Sequence, residues 1–477
     1  MPDTLGTEIL HLSADFPPVT KAAWEAVIQK DLKGGDYEKK LVWRPEDGIA
    51  VRPYYRSEAL APLGDLVDLA PGDFPYTRGD GQTSEEAQKW IPPAGAIRGD
   101  FLHEAGATTI QELGFALAQG VEAFAAGKAD ANVFVYAIGS NYFFEIAKLR
   151  AARVLWATAI TAFNPTDKKP AAIRIHARTA RSNMSLFDPY TNLLRVTTEA
   201  ASAMVGGCDS LAVGTFGFDS HLSINVQRVL REEAYLTTVA DPAGGSYYIE
   251  SLTDSLAHAA WKLFQEIEAV DGWAGAVASG MVDKALAVSR EAKATALSSR
   301  RRSMVGVNNF PNTAEKTSDV QAPPPLPNDP FPQTRLAEPF EEVRKRSAAH
   351  ARLTGRYPKV LLLARGEVKM KVARTNFCLN FFGCGGFDLM ESEDYANTDA
   401  DLIVLCSSDA EYVAFAQEVC PNVKVPVLVA GNPKEQIPAL QAAGVQDFVH
   451  VFSNVLGTLT KWQDKLGLEA AKQGVKA

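Results

Sequence analysis

The chain has 477 residues, a formal net charge of −9 at pH 7 and 46% hydrophobic residues. That length allows two or three domains with cores of their own. The acidic balance argues against a nucleic-acid-binding protein, which needs a basic face. No apolar run approaches the roughly 18 residues of a membrane-spanning helix. The start, MPDTLGTEILHLSADF, lacks the basic-then-apolar pattern of a secretory signal, so a cytoplasmic location is expected.

In chain order, the spacing of Trp24, Val27, Ile28 and Leu32 predicts an amphipathic helix over about 20–32, ended by Gly34-Gly35. A strand-like piece follows at 48–55. Together these read as an arm whose apolar face needs a cover. From about Phe74 to Met304, strand and helix patterns alternate. Strands are expected at 97–101, 133–138, 171–176 and 210–214, and helices at 109–124, 141–158, 189–205 and 224–233. Thr108 or Thr109, with Gln111 or Glu112 three residues on, forms a capping-box start for the first of these helices. Four such units imply a parallel sheet or part of a (β/α) barrel, since closure takes about eight strands.

The run APPPLPNDPFP reads as a stiff polyproline-like linker. Beyond it, strands are expected at 359–364, 402–406, 425–430 and 448–451, with helices at 371–382, 410–419 and 437–443. This is the pattern of a flavodoxin-like, doubly wound sheet. Chemistry in such sheets sits at the carboxyl ends of the strands. Yet the first such loop, Arg365-Gly366-Glu367-Val368-Lys369, has no histidine, no glycine-rich fingerprint and no Walker lysine.

Cys208, Cys378, Cys384, Cys406 and Cys420 are scattered, with no C-x-x-C pair. They read as small buried hydrophobes, and no metal site is expected. The short basic run Arg300-Arg301-Arg302 is expected to form ion pairs or to meet a helix end.

Four stretches resemble the methylmalonyl-CoA mutase family of adenosylcobalamin-dependent isomerases: HEAGATTIQELGFALAQGVEAF, YAIGSNYFFEIAKLRAARVLWA, DPYTNLLRVTTEA and VADPAGGSYYIESLT. The segment Pro75-Tyr76-Thr77-Arg78-Gly79 also matches the family's motif at the barrel entrance. The resemblance implies a substrate-binding (β/α) barrel followed by a flavodoxin-like cobalamin-binding domain. In the family, an Asp-x-His-x-x-Gly loop ligates cobalt and a Gly-Gly turn admits the cobalamin nucleotide. Here the loop after the first strand carries neither the Asp nor the His, and Val429-Ala430-Gly431-Asn432-Pro433 stands at the turn. The nearest later histidine, His450, is expected in the last strand.

The barrel departs from the family in the same direction. Phe101 replaces the histidine of the family's Ser-Gly-Tyr-His, and His103 is expected to cap a helix or lie on the surface. Ala131 and Val133 fall where the family has Arg and Ser, and Gly214 and Phe218 where it has Asn and Glu. Only twenty or so residues separate the entrance motif from Gly99, where the family has the first half of its barrel. The Arg-x-His-x-Gln-Thr motif survives in part as Arg174 and His176, with Arg178 in place of the Gln. These three are a candidate residual anion or CoA site, or else a strand end paired with carboxylates.

The resemblance therefore implies a small, non-catalytic mutase subunit with no catalytic or metal-binding residue of its own. Adenosylcobalamin would be held by a catalytic large subunit, the partner in a heterodimer, with no nucleic acid or membrane involved. The organisation expected is an arm at 1–70, a truncated barrel at 71–315, a linker at 316–340 and a degenerate cobalamin-type domain at 341–477. A divergent stand-alone acyl-CoA mutase and a CoA-ester-binding regulatory or assembly protein are the alternatives.

Overall fold

The computed structural model describes residues 16–79, 92–163 and 172–468, and the chain divides into two compact units at Arg56. The first unit holds helix α1 (Lys21–Asp31), capped by the Thr20 hydroxyl, and the single-turn α2 (Tyr37–Lys40). The piece expected as a strand at 48–55 forms only one bridge, between Trp43 and Val51. Helix α1 buries no residue, and Trp24 is 48% exposed.

The second unit is a mixed α/β body with two parallel sheets. Its first half runs β1 (Ile97–Arg98), α3 (Gly99–Glu104), α4 (Thr109–Ala125), β2 (Val133–Ile138), α5 (Tyr142–Phe163), β3 (Arg174–Thr179), α6 (Pro189–Val205), β4 (Ser210–Ala212) and α7 (Ser220–Arg228). Helices α8 (Tyr247–Glu268), α9 (Gly272–Ala278) and α10 (Met281–Ser298) follow. The four strands lie in the order β1-β2-β3-β4, all parallel, as in part of a (β/α) barrel. Strand β2, VFVYAI, is buried along its whole length, as expected of a β-branched and aromatic strand covered on both faces. Thr108 and Gln111 form the expected capping box at the start of α4.

The expected strand at 97–101 is corrected here. Pairing stops at Arg98 and the chain turns into α3, which places Phe101 and His103 on a helix. Gly99 leaves no space at this turn, because a Cβ there would stand 2.9 Å from the Tyr136 ring.

The second half runs α11 (Glu338–Thr354), β5 (Lys359–Ala364), α12 (Val368–Gly383), β6 (Asp388–Ser392), β7 (Leu402–Cys406), α13 (Tyr412–Val419), β8 (Val427–Ala430), α14 (Ile437–Ala442), β9 (Val445–Val449) and α15 (Val455–Lys465). The order β6-β5-β7-β8-β9 is the flavodoxin-like one, second-first-third-fourth-fifth. Strand β6 was not foreseen, because DLMES is half-exposed and carries no apolar run. Strand β9 ends at Val449, so His450 lies in the turn beyond it.

The proline-rich segment is pinned to the half-barrel at both ends. The Ser318 hydroxyl donates to Leu186 O, and Val320 packs with Met184, Leu186, Phe187 and Phe216. Further on, Thr334 N donates to Glu104 O at 3.2 Å and Leu336 N to Ser182 O at 2.7 Å. Among the described residues, no helix is long and apolar enough to cross a membrane.

The close fit of α4 on β2 gives a first prediction. A Cβ at Gly120 would stand 2.7 Å from Phe134 and 2.8 Å from Trp156. Gly120→Ala should therefore cost about 1–3 kcal/mol of stability through overpacking, read as a lower urea midpoint.

Candidate functional site

The motifs that carry the resemblance meet in the structure as buried ion pairs. Between α4, α5 and β2, the Lys148 ammonium lies 2.9 Å from Glu112 Oε2 and also pairs with Glu145. Glu112 Oε1 accepts from Ala137 N at 3.3 Å, and Glu145 Oε1 from Gly139 N at 2.9 Å. His103 is neither a cap nor a surface residue: its Nδ1 lies 3.0 Å from Glu112 Oε2. Burial first, and the Lys148 charge second, push His103 down to about 3. Burial raises the Glu112 carboxyl to about 7 against the pull of Lys148.

A second cluster joins the entrance motif to the VADPAGG stretch. Arg150 pairs with Asp241 and, at 2.6 Å, with Glu250, while Arg78 Nε lies 3.5 Å from Asp241. A third lies at the foot of β3 and β4, where Arg153 donates to Ile173 O and lies 3.3 Å from Asp209.

Arg174, His176 and Arg178 alternate along β3 on its less buried face, while Ile175 and Ala177 are buried. Arg178 is committed to carboxylates, lying 3.2 Å from Asp100 Oδ2 and 3.0 Å from Glu104 Oε1. His176 Nδ1 lies 2.6 Å from the Ser210 hydroxyl, and burial holds the ring down to about 4, so it is neutral near pH 7. Arg98 forks onto Asp100 with two contacts of 2.7 Å and lies over the Phe101 ring. Sequence reasoning missed Arg98, Asp100 and Glu104 as members of this cluster, because it took 97–101 as a strand. The acidic residues of GDFLHE, one turn apart at helical spacing, were the available signal.

Ala131 and Val133 are buried and apolar. Gly214 N bonds to the Thr179 hydroxyl, and Phe218 packs beside Phe216 and Leu186. Arg300 donates to Asn308 O and lies over Phe377 and Phe381, and Arg302 reaches the Ser140 hydroxyl at 3.1 Å.

The adenosylcobalamin implied by the resemblance can be tested against the second sheet. Only Arg365, Gly366 and Glu367 separate β5 from α12, and none offers an imidazole. Gly366 has φ of 88°, and a Cβ there would stand 2.1 Å from Glu411 Oε2, so the chain's own carboxylate lies against this loop. Glu411 accepts from the hydroxyls of Ser407 at 2.6 Å and Ser408 at 2.7 Å, and these bonds lower it to about 2. At the Gly431 turn, a Cβ would meet Tyr412 at 3.4 Å and Arg374 and Asp409 at 3.5 Å. Tyr412 OH donates to Ala430 O, and Arg374 pairs with Asp409 at 3.1 Å. His450 Nδ1 accepts from Phe452 N within its own turn. The residues present do not fit the group: the loop has no axial ligand, and the crevice is lined by side chains already bonded to one another.

Two predictions follow from the buried ion pairs. Lys148→Met leaves two carboxylates facing each other in the core and should cost about 3–5 kcal/mol near neutral pH. The second concerns pH. Folded His103 titrates near 3 rather than 6.5, so unfolding takes up a proton in that window and stability falls as pH drops through it. Glu112, raised from 4.5 to about 7, acts in the opposite sense, and its contribution falls as pH rises across that range. His103→Gln removes the first slope, so its unfolding free energy should decline between pH 4.5 and 7 more steeply than in the parent chain. Urea titrations at stepped pH would show this, and parallel profiles would contradict it.

The family model described as methylmalonyl-CoA mutase matches residues 93–353. The chain is 30% identical to a methylmalonyl-CoA mutase small subunit of Porphyromonas gingivalis, covering 96% of this chain and 99% of that one. That alignment runs over 616 positions, so a long stretch of the relative has no counterpart here. A methylmalonyl-CoA mutase small subunit of Streptomyces virginiae is 36% identical over 77% of this chain and 63% of its own length. A methylmalonyl-CoA mutase of Rhizobium meliloti is 37% identical over 47% of this chain and 34% of its own. With the family model spanning the four-stranded parallel sheet and the small subunit of Porphyromonas gingivalis matching over nearly the whole chain, the chain belongs to the methylmalonyl-CoA mutase family.

Proposed function

We propose that this chain is a non-catalytic subunit of an adenosylcobalamin-dependent methylmalonyl-CoA mutase. It pairs with a catalytic large subunit that holds the cofactor, and it stabilises or tunes that partner while the complex interconverts methylmalonyl-CoA and succinyl-CoA. The observation that carries this reading is the crevice of the second sheet, where Glu411, Tyr412 and the Arg374–Asp409 pair stand and no imidazole follows β5. Radical chemistry needs a closed, dry cavity. The first sheet has four strands among the described residues, with β1 and β4 at its edges. The small-subunit names of the relatives support the same reading.

In this proposal residues 1–70 contact the partner, and the exposed Trp24 and Val27 of α1 are the apolar anchors available for it. Residues 71–315 form the truncated barrel, 316–340 the connecting segment and 341–477 the degenerate cobalamin-type domain. The complex would work in the cytoplasm, in propionate metabolism.

The test is mutase turnover with adenosylcobalamin and methylmalonyl-CoA, using the purified chain alone, a large subunit alone, and both together. Turnover that needs or is raised by both chains, with no cobalamin retained by this one after gel filtration, is the expected result. Turnover by this chain alone would overturn the proposal.

A further inference from the structure

The loop at 182–188, between β3 and α6, is where the half-barrel meets the second half of the chain. Ser182 O accepts from Leu336 N at 2.7 Å, Met184 O from Arg335 Nη1 at 3.3 Å, and Leu186 O from the Ser318 hydroxyl. In the other direction, Leu186 N donates to Glu341 Oε1 and Asp188 N to Glu315 Oε2, both at 2.8 Å. Arg335 in turn forks onto Glu341 at 2.6 and 2.7 Å. Whatever holds this loop in place therefore also holds α11 and the proline-rich segment on the first sheet.

Helix α6 holds the loop through two polar side chains. Asn192 exchanges two bonds with the backbone of Ser185, at 3.0 and 2.7 Å. The other is Glu199, 1% exposed, whose Oε1 accepts from Asn183 Nδ2 at 2.5 Å. The two remaining oxygens of that pair, Glu199 Oε2 and Asn183 Oδ1, are buried and have no hydrogen-bond partner among the described residues. A carboxylate offers only acceptors, and two orphaned acceptors in one buried pair are strongly unfavourable. A proton on Glu199 Oε2 is the donor that Asn183 Oδ1 lacks, and it closes a ring of two hydrogen bonds between acid and amide. The surroundings favour that proton. Burial first raises the Glu199 carboxyl well above its ordinary range, and the like-charged Glu145 on α5 and Glu104 on α3 add to the rise, against the Asn183 bond and Arg195. Arg195, one turn earlier on α6, is itself turned to Asn192 Oδ1 at 2.7 Å and to Val305 O.

We propose that Glu199 is carried as a neutral carboxylic acid paired with Asn183, and that this pair is a pH-sensitive latch on the loop through which the second half of the chain docks on the half-barrel. While the loop is down, the pair keeps its proton. When the loop lifts, Glu199 meets water and returns to the ordinary carboxyl value of 4.5, so opening releases a proton at any pH above that value. The latch is therefore tightest below pH 4.5, and its hold is lost as pH rises toward the raised folded value. It lies apart from the second-sheet crevice and does not depend on whether a large subunit exists.

The test uses the full chain. Carbon-13 NMR with glutamate labelled at the side-chain carboxyl should show, at about pH 7, a resonance at the neutral-acid position that is absent from Glu199→Gln. Amide hydrogen exchange, corrected for its intrinsic rate, reports the opening at Ser185 and Leu336, whose acceptors, Asn192 Oδ1 and Ser182 O, do not titrate. In the parent chain the opening constant should rise roughly tenfold per pH unit above the ordinary carboxyl value until the folded value is reached. Glu199→Gln keeps both bonds of the ring with an amide in place of the acid, so it should hold these two amides at their low-pH protection throughout. The parent-chain profile needs no variant, and an opening constant there that does not change with pH would overturn the proposal by itself. A carboxyl spectrum unchanged in Glu199→Gln, or the same rise in both chains, would overturn it as well.

Discussion

The half-barrel depends on a single lysine that solvent does not reach. Lys148 is held between Glu112 and Glu145 where α4 and α5 pack on β2. A charge in such a place is tolerated only when paired and hydrogen-bonded, and removing one partner leaves the others uncompensated. Arg150 with Asp241 and Glu250, and Arg153 with Asp209, repeat the arrangement at two further junctions. Apart from Lys148–Glu145 within α5, each pair joins segments far apart in sequence, so these contacts help specify which elements pack together.

The same physics governs the places where the family's chemistry would sit. A crevice at the carboxyl ends of parallel strands exposes backbone groups and helix termini that must find partners. In the second sheet Glu411 takes hydroxyl and amide donors from the loop after β7 and lies against Gly366 after β5, and the Tyr412 hydroxyl donates to Ala430 at the end of β8. In the first sheet the proline-rich segment lies across the mouth and bonds to Glu104, Arg181 and Ser182. At both ends the chain itself thus supplies partners. Ala131 and Val133 join the buried core and leave no unpaired polar group behind.

Much of this was legible from local pattern. The buried runs VFVYAI, KVLLLA and LIVLC announced their strands, and Thr108 with Gln111 announced a helix start. The half-exposed DLMES did not announce β6, because alternation over five residues is weak when neither face is strongly apolar. Ile97 to Phe101 read as a strand, yet the Tyr136 ring against Gly99 and the pairing of Asp100 and Glu104 with Arg178 favour a helical turn. Tertiary packing overrode the apolar pattern there.

The sequence by itself determined the α/β class, the two successive parallel sheets, the family and the lack of a histidine on the loop after β5. These follow from hydrophobic periodicity and from residues present or missing at single positions. Only the tertiary structure decided what the surviving polar residues do. His103 became a buried neighbour of Glu112, Arg178 became the partner of Asp100 and Glu104, and a stretch with the composition of a free linker became a segment bonded across the barrel mouth. The reason is that charge pairing acts through space between residues 100 positions apart and more, and no local pattern records which carboxylate a given arginine will meet.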